Sequence, residues 1–304
     1  MRINISEILS FLGDAKFKYE YSGKADFFIE GFCPLSELKP KSITWIKEIE
    51  SFDFSTINAP LNLLIVTTHN PSVNCDVSEY NFIHTDNPKV VYFEILRNFF
   101  APPQKTSHVA SSAVIETSNI GSNVSIGHNC YICKDVTIGD NVTIKNNVVI
   151  ECPTKIGSDC NIESGVIIGS SGYGYYTHND KRPKQVPEYG GVIIGDRVSI
   201  GSNTCIARGT LSDTIIEDDV KIDNLCHIAH NVFIGARSYV IALSMIAGSC
   251  VIGEDVHVAP GALIMDQKTI GKNSIVGLGA VVTKSVDANK VVAGVPAKVI
   301  RDKG

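Results

Sequence analysis

The sequence predicts a mainly β protein in which a small N-terminal α/β domain precedes a long parallel β-helix of hexapeptide repeats. Isoleucine recurs every six residues from Ile120 to Ile168, and Ile or Val resumes this spacing from Ile216 to Val282. Glycine often follows, as in "IGSNVS" and "IGDNVT". A period of six is typical of a parallel β-helix with three short strands in each 18-residue coil. We expect each repeat Ile or Val to point inward and to stack on its counterpart one coil away.

The composition favours a globular protein without a nucleic-acid surface. The 304 residues include 27 Lys and Arg against 32 Asp and Glu, a net charge of −5, and 44% are hydrophobic. No apolar run approaches the ~18 residues of a spanning helix. The opening "MRINISEILSFLGDAKF" lacks the apolar core of a signal peptide. We therefore expect a soluble cytoplasmic protein without stable membrane insertion.

The nine cysteines contain no CxxC pair, which argues against a zinc site and a disulfide framework. Four of them stand two residues before a repeat Ile, where a small apolar side chain packs: Cys130, Cys160, Cys226 and Cys250. We predict that these four are reduced core residues.

Residues 1–100 lack the six-residue period and predict the α/β domain. "ISEILSFLG" indicates a helix ended by Gly13, and "SITWI" and "LNLLIVT" indicate strands. "DNPKVVYFEILRNFF" indicates a helix capped by Asn87 with Pro88 in its first turn. Residues 101–107, "APPQKTS", form a predicted linker, followed by the β-helix over 108–285 and a tail over 286–304.

Two irregularities interrupt the repeat. Residues 170–189, "SSGYGYYTHNDKRPKQVPEY", predict an external loop because they are polar, aromatic and Pro-containing. Across "ARGTLSDT", the step from Ile206 to Ile216 is ten residues instead of the twelve of two hexads. Loops on rigid scaffolds often carry function.

The stretch "DNLCHIAHNVFIG" places His227 and His230 three positions apart. His227 precedes an inward Ile, and His230 follows it in a corner turn, where we expect it to be accessible. Gly248 lies 18 residues after His230 and therefore one coil away. A general base beside a backbone N–H suits acyl transfer, because the N–H stabilises the oxyanion. Two ordinary turn histidines would show the same spacing, so spacing alone leaves catalysis open.

Several motifs together resemble the UDP-3-O-(3-hydroxyacyl)glucosamine N-acyltransferase family of lipid A synthesis: "GYGYY…VPEYGGVIIGDRVSIG", "ARGTLSDTIIEDDVKIDNLCHIAHNV" and "MIAGS". The resemblance implies a left-handed β-helix and a homotrimer with active sites between subunits. It also implies that His230 is the catalytic base and that the Gly248 amide serves the oxyanion, without a covalent intermediate. Residues expected to contact the substrate are Tyr173, Tyr175, His227 and Asn231. Asn231 or Asp223 is expected to orient the imidazole.

Two features depart from this family and bear on the acyl donor. The ending "VVAGVPAKVIRDKG" resembles hexapeptide acetyltransferases that use acetyl-CoA, and it replaces C-terminal helices that dock acyl carrier protein. The residues expected to contact CoA are Gly279, Ala293, Lys298 and Arg301. In "ALIMDQKTI" the family carries a further histidine that is absent here, which argues against a hydroxyacyl pocket.

The nucleotide contact is expected in "SITWIKEIESF" of the N-terminal domain. Trp45 is a candidate for stacking on the base, although core packing would explain it equally well. Glu48 stands near the position of the family's asparagine, and either Phe52 or no residue replaces its second aromatic residue. These changes leave both UDP and dTDP sugars open.

The favoured interpretation is an acetyl-CoA-dependent N-acetyltransferase of a nucleotide-linked amino sugar, for a surface polysaccharide such as O-antigen. The alternative is the lipid A enzyme, which uses hydroxyacyl carrier protein. A metalloenzyme like γ-carbonic anhydrase fits less well, because it needs three histidines, two as HxxxxH, whereas this chain has HxxH. A non-catalytic scaffold is the remaining alternative. No metal is predicted.

Overall fold

The computed structural model describes residues 2–47, 62–68, 80–101, 107–151 and 153–303. The chain divides into two compact units, residues 1–104 and 105–304. Glu48, Phe52 and residues 102–106 of the predicted linker lie outside the described residues.

The first unit is an α/β domain, as its sequence predicts. Its helices are Ile5–Asp14 and Pro88–Phe100, and Asn87 caps the second by accepting from the Val90 N–H at 3.4 Å. The first helix runs one residue past Gly13. A five-stranded sheet has the order Glu20–Ser22, Asn81–His84, Leu64–Thr67, Ser42–Trp45 and Gly31–Phe32, and a second sheet pairs Ile3–Asn4 with Phe28–Ile29. Only the pairing of Glu20–Ser22 with Asn81–His84 is antiparallel in the larger sheet.

The second unit is a left-handed parallel β-helix with three faces, as predicted. The strands of the first face are Val114–Ile115, Tyr131–Ile132, Val149–Ile150, Ile167–Ser170, Cys205–Ala207, His227–Ile228, Met245–Ile246, Leu263–Ile264 and Val281–Val282. Those of the second are Val136–Ile138, Thr154–Ile156, Val192–Ile194, Thr214–Ile216, Phe233–Ile234, Val251–Ile252 and Thr269–Ile270. Those of the third are Ser125–Ile126, Thr143–Ile144, Asn161–Ile162, Ser199–Ile200, Lys221–Ile222, Tyr239–Val240, His257–Val258, Ile275–Val276, Lys290–Ala293 and Lys298–Asp302.

The repeat positions build the core of the β-helix. Ile228 pairs in register with Ile206 on one side and Ile246 on the other, and all three are fully buried. Burying one such side chain contributes roughly 1.5–3 kcal/mol. The four cysteines predicted to be core residues are buried and free, which confirms that prediction. Burial raises the pKa of the Cys160 thiol to about 11, so it stays protonated at neutral pH.

Most corners between faces contain a residue in the left-handed backbone region. Asparagine often fills it, as at Asn129, Asn147 and Asn231, whose φ values are 56°, 58° and 58°. Asparagine tolerates this conformation better than most residues that have a Cβ. Asn231, the residue after His230, therefore lies in a tight turn.

The irregular segment "ARGTLSDT" enlarges a single corner. Asp196 and Asp218 are hydrogen-bonded between coils at a separation of 22 residues, whereas Ser122 and Asp140 are 18 apart. The break in the six-residue period between Ile206 and Ile216 is thus one corner with four extra residues, 22 instead of 18 for the coil. The strands Cys205–Ala207 and Thr214–Ile216 are consecutive, and the extra residues bulge outward between them.

Two further segments contain strands that the periodicity does not predict. Within the external loop over 170–189, Tyr175–Thr177 pairs antiparallel with Pro183–Gln185. In the tail, Lys298–Asp302 turns back antiparallel to Lys290–Ala293. No helix in the described part of the chain is both long and apolar enough to cross a membrane.

Candidate active site

A cavity of about 470 Å³ lies at the corner that follows the first face of the β-helix. Its walls come from successive coils and from the start of the external loop, and they include Tyr173, His227, His230, Gly248 and Asp266. The cavity therefore brings together both candidate histidines and the candidate oxyanion glycine.

The His230 imidazole is held by the amide of Asn231. His230 Nδ1 lies 3.1 Å from Asn231 Oδ1. The orientation of that amide follows from its other partners, because Asn231 Nδ2 donates to the Ser212 carbonyl at 2.8 Å and to Ser212 Oγ at 3.0 Å, and Oδ1 accepts from the Thr210 N–H at 3.1 Å. An oxygen that already accepts a hydrogen bond faces Nδ1, so Nδ1 carries the proton. Nε2 is then the basic nitrogen.

All hydrogen-bonding atoms of the Asn231 side chain are thus engaged within the protein. We therefore reassign Asn231 from substrate contact to positioning of His230. Asp223, the other candidate for this role, accepts instead from the backbone N–H groups of Asn224 and Ala242. Thr210 and Ser212 were not predicted from the sequence to hold the Asn231 amide. The break in the repeat at "ARGTLSDT", which contains both residues, is the feature of the sequence that could have indicated them.

Gly248 faces the basic nitrogen of His230. A Cβ added at Gly248 would lie only 2.7 Å from His230 Nε2 and Cε1, so glycine alone leaves this space open. The Gly248 N–H donates to no group among the described residues, although the Gly248 carbonyl accepts from Gln267. At equivalent corners such N–H groups are often satisfied from the next coil, as Ser122 is by Asp140. The Gly248 N–H thus has no partner among the described residues, and the missing side chain leaves room beside the base.

His227 lies in the strand that precedes the corner and points outward between Cys205 and Met245. Its side chain is exposed to the cavity, yet partial burial lowers its pKa and favours the neutral imidazole. His227 makes no hydrogen bond with His230 among the described contacts. His227 therefore lines the cavity, and its contact with a substrate stays a prediction.

The two predicted loop tyrosines lie together at the cavity entrance. Tyr173 is 92% exposed and lines the cavity, and its ring packs edge-on against Tyr175 at a centroid distance of 5.1 Å. Free aromatic faces at this position are available to a ligand.

Trp45 belongs to the first unit, where it is partly buried against the hydrophobic core. Its strand pairs Trp45 with Val66. Core packing therefore accounts for at least part of its surface, and base stacking by Trp45 stays a prediction.

The residues predicted to contact CoA lie in the last coil and the tail hairpin. Lys298 and Arg301 are exposed, and Ala293 pairs with Lys298. The Gly279 N–H is already used, since it donates to the Pro260 carbonyl at 3.0 Å, and the Ala297 N–H donates to the Val281 carbonyl at 2.8 Å. Two backbone N–H groups in the region expected to contact CoA are therefore occupied within the fold.

Among the residues that the structure describes, no three His, Cys, Asp or Glu side chains are grouped as a metal site.

Comparison with known proteins shows what this chain is similar to. Residues 117–152 match the family described as bacterial transferase hexapeptide (six repeats), and residues 191–224 match the hexapeptide repeat of succinyl-transferase. The UDP-3-O-acylglucosamine N-acyltransferase of Caulobacter sp. (strain K31) is 37% identical over 146 residues, which is 48% of this chain and 43% of that protein. The enzyme of the same name from Delftia acidovorans is 40% identical over 131 residues, 43% and 39% of the two chains. The probable UDP-3-O-acylglucosamine N-acyltransferase 2, mitochondrial, of Arabidopsis thaliana is 38% identical over 148 residues, 49% of each chain.

Solved structures show the same fold. The UDP-N-acetylglucosamine acyltransferase from Bacteroides fragilis aligns with a TM-score of 0.59 at 24% identity, covering 64% of this chain and 75% of that one. The LpxA structure from Acinetobacter baumannii aligns with a TM-score of 0.57 at 26% identity, covering 64% and 73%. The chain is thus similar to hexapeptide-repeat acyltransferases, as its motifs predict, although the matches span only about half or less of the curated relatives.

Proposed function

We propose that this protein is an N-acyltransferase that moves an acyl group from a thioester to the amine of a nucleotide-linked amino sugar. The observation that carries the proposal is the pairing of a histidine base, oriented through Nδ1 by Asn231, with a free backbone N–H at Gly248 one coil away. The similarity to sugar N-acyltransferases supports the same reaction class.

The proposed reaction is a direct attack. The neutral amine of the acceptor attacks the thioester carbonyl carbon and forms the C–N bond, while its proton passes to His230 Nε2. The carbonyl oxygen becomes an oxyanion that accepts from the Gly248 N–H. Collapse of this intermediate breaks the C–S bond, and the thiolate takes the proton from the imidazolium to leave as a thiol.

Asn231 is expected to matter because it selects the tautomer of the base. Asn231→Ala should lower kcat by about tenfold, roughly 1.4 kcal/mol, while KM for either substrate changes little. Steady-state kinetics measure this split. Asn147→Ala is the matched control, since Asn147 occupies the same backbone conformation at another corner. If both variants lose kcat equally, the loss reflects the removal of asparagine from any corner, and the proposed role of Asn231 in orienting His230 is contradicted.

The names of the relatives favour UDP-3-O-acylglucosamine as the acceptor, which supports the alternative interpretation of the sequence, with its hydroxyacyl donor, over the favoured one. The surface beside the base supports a long acyl chain. Outward-facing side chains on the first face continue from His227 through Met245 and Leu263 to Val281. At the usual spacing of strands this apolar row extends about 14 Å.

Acetyl-CoA is the second candidate donor, acting on a different nucleotide-linked amino sugar. The observation in its favour is the tail hairpin, which exposes Lys298 and Arg301 in the coil next to Val281. Cations at this position suit the phosphates of CoA.

The donor is tested by measuring thiol release from acetyl-CoA and from hydroxyacyl carrier protein, each against a panel of UDP- and dTDP-linked amino sugars. We expect UDP-3-O-acylglucosamine with the hydroxyacyl donor to give the highest kcat/KM. Turnover with acetyl-CoA alone would establish the second candidate. Absence of N-acylation with every pair would overturn the proposed function.

The likeness to UDP-sugar acyltransferases supports a nucleotide-linked acceptor, and we propose a homotrimer in which a neighbouring subunit completes each cavity. The external loop over 170–189 is the segment placed to enclose the acceptor, because its Tyr173 already lines the cavity.

A further inference from the structure

Glu188, near the end of the external loop, has one carboxylate oxygen bound and one unsatisfied. Its Oε1 accepts from the Gly172 N–H at 2.8 Å. Its Oε2 is buried and has no hydrogen-bond partner in the described part of the chain. A buried oxygen of this kind is costly unless a positive charge or a donor comes close to it.

Gly172 separates this carboxylate from the general base. A Cβ at Gly172 would lie 2.7 Å from Glu188 Oε1 and 3.1 Å from His230 Cδ2, so both groups border the space that the missing side chain leaves. Glycine at position 172 thus leaves room for the carboxylate and the imidazole to border the same space. Asn231, which holds the other edge of the ring, is neutral.

Other charged or titratable groups around His230 are placed differently. His227 lies on the same coil as His230, with its side chain pointing outward into the cavity. Asp266 is exposed and also lines the cavity. Arg208 of the preceding coil uses its Nε to donate to the Gly190 carbonyl at 2.8 Å. Cys205 and Tyr173 line the cavity and are uncharged as thiol and phenol. Glu188 therefore places a carboxylate, one oxygen of which is buried, beside the space that the ring borders.

We propose that Glu188 is a positioning residue that stabilises the imidazolium of His230 while it holds Gly172 against the ring. The proposal rests on the proposed function for its catalytic meaning, since the imidazolium forms when His230 takes the proton of the acceptor amine. No bond forms to Glu188, and its own protonation state does not change.

The test is Glu188→Gln, which keeps an oxygen for the Gly172 N–H and removes the charge. We expect kcat/KM at neutral pH to fall about tenfold, with the acidic limb of its pH profile displaced to lower pH, because the protonated ring loses its counter-charge. Glu188→Asp keeps the carboxylate, so its kcat/KM should fall less than that of Glu188→Gln. It serves as the second variant if Glu188→Gln folds poorly. Glu217→Gln is the matched control, since Glu217 also accepts a backbone N–H, from Ala236 at 3.1 Å, at a different corner.

Histidine NMR titration of the protein without substrate separates this proposal from the proposed function. Glu188→Gln should move the His230 titration to lower pH, and Glu217→Gln should leave it in place. An unmoved His230 titration in Glu188→Gln overturns the proposal, even if activity falls, because the role of Glu188 is then only structural. If the wild-type protein acylates no amino sugar, the proposed function fails, while the titration still decides whether Glu188 acts on His230.

Discussion

Replacing His230 with alanine is expected to lower kcat by about 10²–10⁴, the usual effect of removing a general base. His230 is the imidazole whose Nδ1 is fixed by Asn231 and whose Nε2 faces Gly248. Without it, the attacking amine has no acceptor for its proton at the reacting centre. KM for the acceptor should change much less than kcat, because the side chain acts mainly in the transition state. Steady-state rates with the best substrate pair provide the measurement.

His227→Ala is the control for this prediction, since it removes the same type of side chain from the same coil. His227 borders the cavity but has no orienting partner like Asn231, so we expect a loss well below that of His230→Ala. Its effect should fall mainly on KM. If the two variants lose kcat equally, the assignment of a single base is wrong.

Gly248→Ala is expected to reduce kcat/KM by at least about 10²-fold, even though the backbone N–H remains. The added methyl would lie 2.7 Å from His230 Nε2, within the space where the acceptor nitrogen must stand. The loss should therefore come from misplacing the base and the acceptor, while the fold is retained.

Circular dichroism and thermal unfolding of Gly248→Ala, beside the activity assay, separate these two effects. Gly13→Ala serves as the control, because a Cβ at Gly13 in the first helix meets nothing within 4 Å. Full activity of Gly248→Ala would show that this glycine does not border the reacting atoms.

The regular part of the β-helix and the proximity of His230 and Gly248 were predictable because the repeat has a constant length. A separation of 18 residues fixes neighbours on adjacent coils, so the position of Gly248 beside His230 follows from counting. The helix cap at Asn87 was predictable for a similar reason, since it depends on local chemistry.

The orientation of the base was not predictable, because it depends on the enlarged corner. There the spacing between coils becomes 22 residues, and counting no longer indicates which backbone groups meet the Asn231 amide. Glu188 was missed for the same reason, as its contact with Gly172 depends on how the external loop closes. The hairpin within the external loop was not predictable either, because the six-residue repeat carries no information about its hydrogen bonds.

The two enlarged coils that precede His230 have a consequence for how proteins with this fold can vary. Coil-to-coil separation is 38 residues where the external loop is inserted and 22 at the next corner, yet Ile168, Ile206 and Ile228 remain in register. In a fold whose coils contact only their neighbours, an insertion at a corner leaves the stacking of the others unchanged. Residues of the loop and of the enlarged corner, some of which line the cavity, can therefore change without a compensating change in the interior.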